Sequence, residues 1–217
     1  CSTSSMSSES RTRSISLRRR RSALMSGYTS FISMTTPEAK AYLDQFLAEM
    51  GQSLTRFAAS IDSELTYSAD SLEQVWDAVR PKVKWRLGYQ PPRVGQPGPR
   101  ILTGQLESPQ ELPSWFHHPS GAGYARFSSE TLWLIDGAGR YLGETLIRNI
   151  GGTWHSGDSR SDFYMFQNQP VIAGITPDPV SPIQSCAVLV ARALRASTEQ
   201  GPYTLVDAFE NWSVPKL

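Results

Sequence analysis

Few residues in this chain are equipped for chemistry. Nucleophilic catalysis needs a Ser or Cys beside a base. The sequence offers Cys186, three histidines (His117, His118, His155) and many serines, but no Gly-x-Ser-x-Gly elbow. A Cys186–His155 pair would meet only in the fold. Cys186 falls on an apolar helical face, where a thiolate is costly and a small core residue is the simpler reading. Acid–base hydrolysis needs two carboxylates at a defined separation. Asp158 and Asp162 flank a serine-rich turn and Glu144 lies on a helix, but aspartates in a polar turn commonly build the turn itself. His155 follows Trp154 on a short strand. Pointing outward beside Asp158, it would bind a partner or a proton; a solvated strand-edge histidine is the simpler reading. Adjacent residues of an extended chain point opposite ways, so His117 and His118, with Trp115 and Phe116 before them, are a poor chelating pair and read more simply as part of a solvated loop. Nothing here calls for a metal or a cofactor.

The glycines from Gly137 to Gly143 invite comparison with a nucleotide loop. The third glycine of that fingerprint would fall at Leu142, no strand precedes the segment, and no phosphate-loop lysine follows. Gly139 and Gly143, four apart, instead leave a groove on a helix where another element can approach. Along the same helix Arg140, Glu144 and Arg148 recur every four residues with alternating sign, which stacks them in one row. As a solvent-facing stripe, such a row contributes a few tenths of a kcal/mol per pair. With Trp133 on the same side, it has the aromatic-plus-arginine composition of an interface hot spot.

These residues must be positioned by a modest chain. Its 217 residues, 39% apolar and 19% charged, fit one domain with tails. No apolar run approaches the ~18 residues of a membrane-spanning helix. Two cysteines, Cys1 and Cys186, exclude a disulfide-rich scaffold and a four-cysteine zinc site.

The net charge of +1 hides an asymmetry. Residues 1–33 hold twelve serines, six arginines and one acid, which leaves residues 34–217 with 15 basic and 19 acidic groups. Too few apolar residues recur in the tail to bury a face, so disorder is expected. Three readings of it stand side by side. Arg18-Arg19-Arg20-Arg21 suits nucleic acid or an anionic membrane surface. Cys1 before Ser2-Thr3-Ser4-Ser5 resembles the mature start of a lipid-anchored bacterial lipoprotein. Met34-Thr35-Thr36-Pro37 resembles a natural start, which fits a cytoplasmic protein.

Within residues 34–217, a first helix is expected from Thr36, with Thr36 as cap and Pro37 in the first turn. Its apolar face runs from Ala39 through Phe46 and Phe57 to Ile61. Asp70-Ser71-Leu72-Glu73 predicts the start of a second helix, and Glu64–Ser68 reads as a weak strand or an extended link. From 88 to 123, prolines and glycines break every period. A loop this long is commonly functional or disordered. Ser129–Ile150 is the most regular segment, apolar around much of its circumference and therefore central to the core. Gly151-Gly152 ends it. Thr153–Ser156, Phe163–Gln167 and Pro170–Ile175 read as three short strands. Ser181-Pro182-Ile183-Gln184 starts another helix, and a short one around Leu205–Trp212 docks the end of the chain.

The run Tyr141-Leu142-Gly143-Glu144-Thr145-Leu146-Ile147-Arg148-Asn149-Ile150-Gly151-Gly152-Thr153-Trp154 resembles a signature of small bacterial α+β domains of unknown function. In these a helix carrying Gly-Glu-x-x-x-Arg-Asn ends in Gly-Gly and enters a strand with Trp. The resemblance covers about residues 65–195 without the Pro/Gly-rich loop. It implies an α+β fold and no established activity, and some such domains resemble immunity proteins, which neutralise a toxin by binding it.

The expectation is therefore one α+β domain over residues 34–217, a three-stranded antiparallel meander packed on helices. Its expected role is a non-catalytic protein-interaction module, immunity-like, with Trp133, Arg140, Glu144, Arg148, Trp154 and His155 as partner-binding residues. The mildly acidic body suits a basic toxin or another basic protein. Two alternatives remain: a small hydrolase using His155 with Cys186 or Asp158, and a nucleic-acid or anionic-surface binder acting through the tail.

Overall fold

The computed structural model describes residues 28–93, 96, 99, 101, 105–116, 123–158, 164–195 and 204–213. Residues 1–27, with Cys1 and the arginine run, lie outside it, as do His117, His118, Asp162 and Phe163. The described chain is mixed helix and strand: six α-helices and one two-stranded antiparallel sheet.

Helices α1 (Thr36–Ala48) and α2 (Met50–Ile61) replace the single long helix expected over this stretch, with the break at Glu49. The cap is one residue earlier than expected. Thr35 donates its backbone N–H and its hydroxyl to the Glu38 carboxylate, at 2.7 and 2.8 Å, which closes a capping box. Helix α3 (Ser71–Val79) is preceded by Ser68 rather than capped by Asp70. The Ser68 hydroxyl accepts from the Ser71 N–H, and the Ser71 hydroxyl donates to the Ser68 carbonyl. The expected extended link at 64–68 makes no strand, and Tyr67 takes a left-handed φ of 60°.

Helix α4 (Ser129–Ile150) has the expected boundaries. Ser128 caps it by accepting from the Thr131 N–H, and Gly151 (φ 103°) and Gly152 (φ 87°) end it in a conformation that favours glycine. The chain then enters β1 (Thr153–Ser156), which pairs with β2 (Pro170–Ala173) in the register Thr153↔Ala173 to Ser156↔Pro170. The expected middle strand does not form among the described residues: residues 165–168 form a turn, and residues 157 and 168–169 close a loop through Gly157–Gln169 and Asn168–Gly157 hydrogen bonds. Asn168 at φ 62° reverses the chain there, and its side-chain amide donates to the Phe31 and Met34 carbonyls instead of extending a sheet. Helices α5 (Pro182–Arg195) and α6 (Leu205–Ser213) complete the fold. Ser181 caps α5 as expected, its hydroxyl accepting from Gln184 N–H.

Helix α4 is the axis. It packs on α2 along one side and on α5 along another, with α3 and α6 also touching it. Gly139 makes the α5 contact possible, because a Cβ there would lie 2.8 Å from the Ile183 backbone. Two expectations are corrected. Within the Pro/Gly-rich segment, Leu112, Trp115 and Phe116 are core residues rather than part of a solvated loop. Residues 28–33, assigned to the tail, belong to the domain: Phe31 is buried, and Tyr28 and Thr29 donate hydroxyl hydrogens to the Glu107 and Ser114 carbonyls.

The glycines give opposite outcomes on substitution. Gly139→Ala should lower stability by about 1–3 kcal/mol, because the Ile183 backbone has little room to move. Gly51→Ala, exposed in α2 with open space around it, should raise stability by up to about 1 kcal/mol. Urea unfolding of the two variants measures both signs.

Candidate functional site

The charged row on α4 divides into three environments. Arg140 is only 1% exposed. Its Nε donates to Asp136 Oδ1 at 2.9 Å and its Nη1 to the Phe46 carbonyl at 2.7 Å, while the guanidinium lies 3.7 Å from the Phe46 ring centroid. Asp136 also accepts from Trp115 Nε1 at 3.0 Å and has Arg56 at 3.8 Å. Arg140 is thus a core residue, not part of a surface ridge, because α1 and α2 cross α4 at the middle of the row. Trp133 stands at one end, its Nε1 donating to the Glu111 carbonyl and its ring 3.8 Å from the exposed Arg56 guanidinium. Glu144 lies eleven residues further on, about 16 Å along the helix.

The other end is a connected surface unit. Gly143 carries no side chain, and any Cβ there would press into the Trp154 indole. Trp154 lies in this gap, edge-on to Phe46, and donates from Nε1 to Glu144 Oε1 at 3.0 Å. The other Glu144 oxygen is 4.0 Å from Arg148 Nε. The Arg148 guanidinium sits 3.5 Å from the Tyr67 ring centroid, yet its side chain is 53% exposed. Tyr67 is fixed through its backbone: its N–H donates to the Tyr141 hydroxyl, and its carbonyl accepts from Asn149 Nδ2. The signature run therefore has a physical content. Gly143, Glu144, Arg148, Asn149 and Trp154 together hold the loop at Tyr67 and the strand at Trp154 against one helix end.

His155 does not join this unit. Strand alternation sends it to the face of the hairpin opposite Trp154, where it is exposed. No hydrogen bond joins it to Asp158 among the described residues; Asp158 is exposed and accepts instead from Gln167 Nε2 at 3.3 Å. Cys186 is fully buried, and burial pushes its thiol pKa well above the ordinary range. A site closed to solvent favours the neutral thiol over the thiolate. Among the described residues, no three His, Cys, Asp or Glu gather as a metal would require. No helix among them is long and apolar enough to cross a membrane.

Sequence reasoning missed Tyr67, which lies in a segment without period. Asn149, directly after Arg148, carried the only hint that the row continues toward a polar partner. It also missed a groove of about 450 Å³ between the turn at 86–89 and the start of α4. Arg86 lines it, donating to the Ala125 and Gln105 carbonyls and pairing with Glu107 at 2.7 Å. That pair neutralises the groove from within.

Compared with known proteins, the chain matches no family model, no curated protein and no solved structure.

Two outcomes follow from this arrangement. Asp136→Ala strands a buried guanidinium and should cost about 3–5 kcal/mol, whereas Asp136→Leu with Arg140→Met should recover much of it, read by urea unfolding. Iodoacetamide should leave Cys186 unmodified in the native protein at pH 8 and alkylate it in denaturant, read by mass spectrometry.

Proposed function

We propose that this chain is a non-catalytic protein-interaction module that binds through the surface formed by Tyr67, Glu144, Arg148 and Trp154. The observation that carries the reading is the Arg148 guanidinium, exposed yet held over the Tyr67 ring. An arginine ordered before binding loses less side-chain entropy when it meets a partner. Its neighbours are aromatic, and arginine with Tyr and Trp is the residue set that dominates interface energetics. Trp133 with Arg56 repeats the composition at the far end of the row. The acidic excess of residues 34–217 favours a basic partner, such as a toxin neutralised by an immunity-like protein.

The hydrolase reading has less support. Its Cys186 version needs a thiolate in a closed apolar site, and its Asp158 version needs a contact that the described residues do not make.

The test is retention of one stoichiometric protein by the immobilised full chain, at low and moderate salt, from a lysate of its own organism. Arg148→Glu should weaken that complex at least about tenfold, while Glu144→Gln, which keeps an acceptor for Trp154, should weaken it less. Losing the exposed stack itself costs the domain only about 0.5–1 kcal/mol, so thermal unfolding should stay close to wild type. An unchanged affinity in Arg148→Glu would remove this surface from consideration.

A further inference from the structure

A second surface draws on different residues. From 78 to 106 the sequence carries Arg80, Lys82, Lys84, Arg86, Arg93 and Arg100 and no acid, in a body whose acids otherwise exceed its bases. Residues 84–86 and 126–128 run antiparallel, joined by Arg86 N–H to the Arg126 carbonyl and Ser128 N–H to the Lys84 carbonyl. Beyond this pairing the chain reverses at Leu87-Gly88. The Tyr89 N–H donates to the Arg86 carbonyl at 2.9 Å, and Gly88 takes φ 77°, the left-handed position of a tight turn.

The base of the turn is fixed. Arg86 Nε donates to the Ala125 carbonyl at 2.6 Å, and its Nη1 lies 2.7 Å from the Glu107 carboxylate. Trp85 stacks on Phe127, 5.4 Å apart and 7° from parallel, and Tyr89 packs on Trp85 at 5.2 Å. The tip is bare: Leu87 is 100% exposed.

A lone exposed leucine calls for no partner by itself. Leu87 differs in its setting. Trp85 and Tyr89 stand two residues to either side, both partly exposed, and Lys82, Lys84 and Arg93 on the flanks are exposed. Lys82 and Arg93 make no ion pair among the described residues. Lys84 meets Glu130 at 3.7 Å, but both side chains are exposed and the contact is readily screened. Leucine at the tip, Trp and Tyr below it and cations around them follow the layers of a bilayer: hydrocarbon, interface, charged headgroups. A bilayer also receives a single protruding side chain without a shaped pocket. Nucleic acid fits less well, because Trp85 is already stacked on Phe127 and packed by Tyr89, and a leucine cannot stack on a base.

We propose that the turn at 84–89 docks the chain on an anionic lipid bilayer. Leu87 enters the acyl-chain boundary, and Lys82, Lys84 and Arg93 lie over the headgroups.

The test sediments the full chain with vesicles of phosphatidylcholine, with and without phosphatidylserine, at low and moderate salt. Phosphatidylserine vesicles should retain the chain, and salt should weaken retention. Leu87→Ser changes only an exposed side chain, so circular dichroism and thermal unfolding should match wild type while partitioning falls at least about tenfold. The same fall should appear when Arg18, Arg19, Arg20 and Arg21 are all changed to Gln, which removes the charge of that run. Lys82→Gln with Arg93→Gln should weaken retention and flatten its salt dependence. In Leu87→Trp, lipids brominated on their acyl chains should quench more indole fluorescence than in wild type.

Equal retention of Leu87→Ser and wild type overturns the docking turn. So does retention that vanishes with the four tail arginines, or an absence of added quenching in Leu87→Trp. An equal loss in Ile32→Ser, an 85% exposed residue outside the turn, would mark general adsorption and overturn it too. Equal retention on phosphatidylcholine alone overturns the anionic preference. A single-stranded oligonucleotide that binds through Lys82 and Arg93, with no vesicle retention, assigns the basic stretch to nucleic acid instead.

Discussion

The fold depends on one buried ion pair. Asp136 and Arg140 are one turn apart on α4, and each is almost completely withdrawn from water. Charges so placed are tolerated only when their remaining hydrogen-bonding capacity is met. Here it is met by other elements. Trp115 from the long irregular segment donates to Asp136, the last turns of α1 supply the Phe46 carbonyl to Arg140, and α2 brings Arg56. A helix, a helix pair and the segment that carries Trp115 thus converge on two side chains. An apolar pair at these positions would pack but would specify no such meeting point, and the proline-rich segment would be left with its apolar contacts and bonds such as those to Tyr28 and Thr29.

That convergence also decides what surface remains. By covering the middle of the charged row, α1 and α2 leave only its two ends in contact with solvent. Both ends carry an arginine against an aromatic ring, Arg56 with Trp133 and Arg148 with Tyr67. The pair at Arg148 adds Glu144 and Trp154, which makes it the larger and better-ordered of the two. Packing thus turns what looks in sequence like one continuous stripe into a core pair flanked by two separate arginine–aromatic surfaces.

Much of the architecture was legible where local signals and tertiary demands agree. The limits of α4 follow from Ser128-Ser129 and Gly151-Gly152, the start of α5 from Ser181-Pro182, and β1 and β2 from short β-favouring runs. Legibility failed where a distant partner decides. Arg140 has the spacing of a surface residue, and nothing near it in sequence announces the Phe46 carbonyl, 94 positions away. Tyr164 and Phe166 have strand-like alternation, but Asn168 spends its amide on the Phe31 and Met34 carbonyls and turns the chain. Trp115 and Phe116 sit among prolines, where no periodicity can report burial. For the candidate site, the Glu144–Arg148–Trp154 grouping could be read from the signature run, and His155 is exposed as its strand position suggested but makes no bond to Asp158 among the described residues, while Tyr67 was invisible.

The Asn168 contact has a bearing on the order in which the chain acquires its structure. It ties carbonyls near the start of the domain to a side chain 134 and 137 positions later. The Phe46 carbonyl likewise waits for Arg140, and the Tyr67 backbone for Tyr141 and Asn149. Contacts of such separation must close large loops before they stabilise anything, and they slow folding accordingly. On the ribosome, α1 and α2 emerge with apolar faces whose partner helix has yet to be made. Helices α1 and α2 therefore gain their full burial only once α4 is in place beside them.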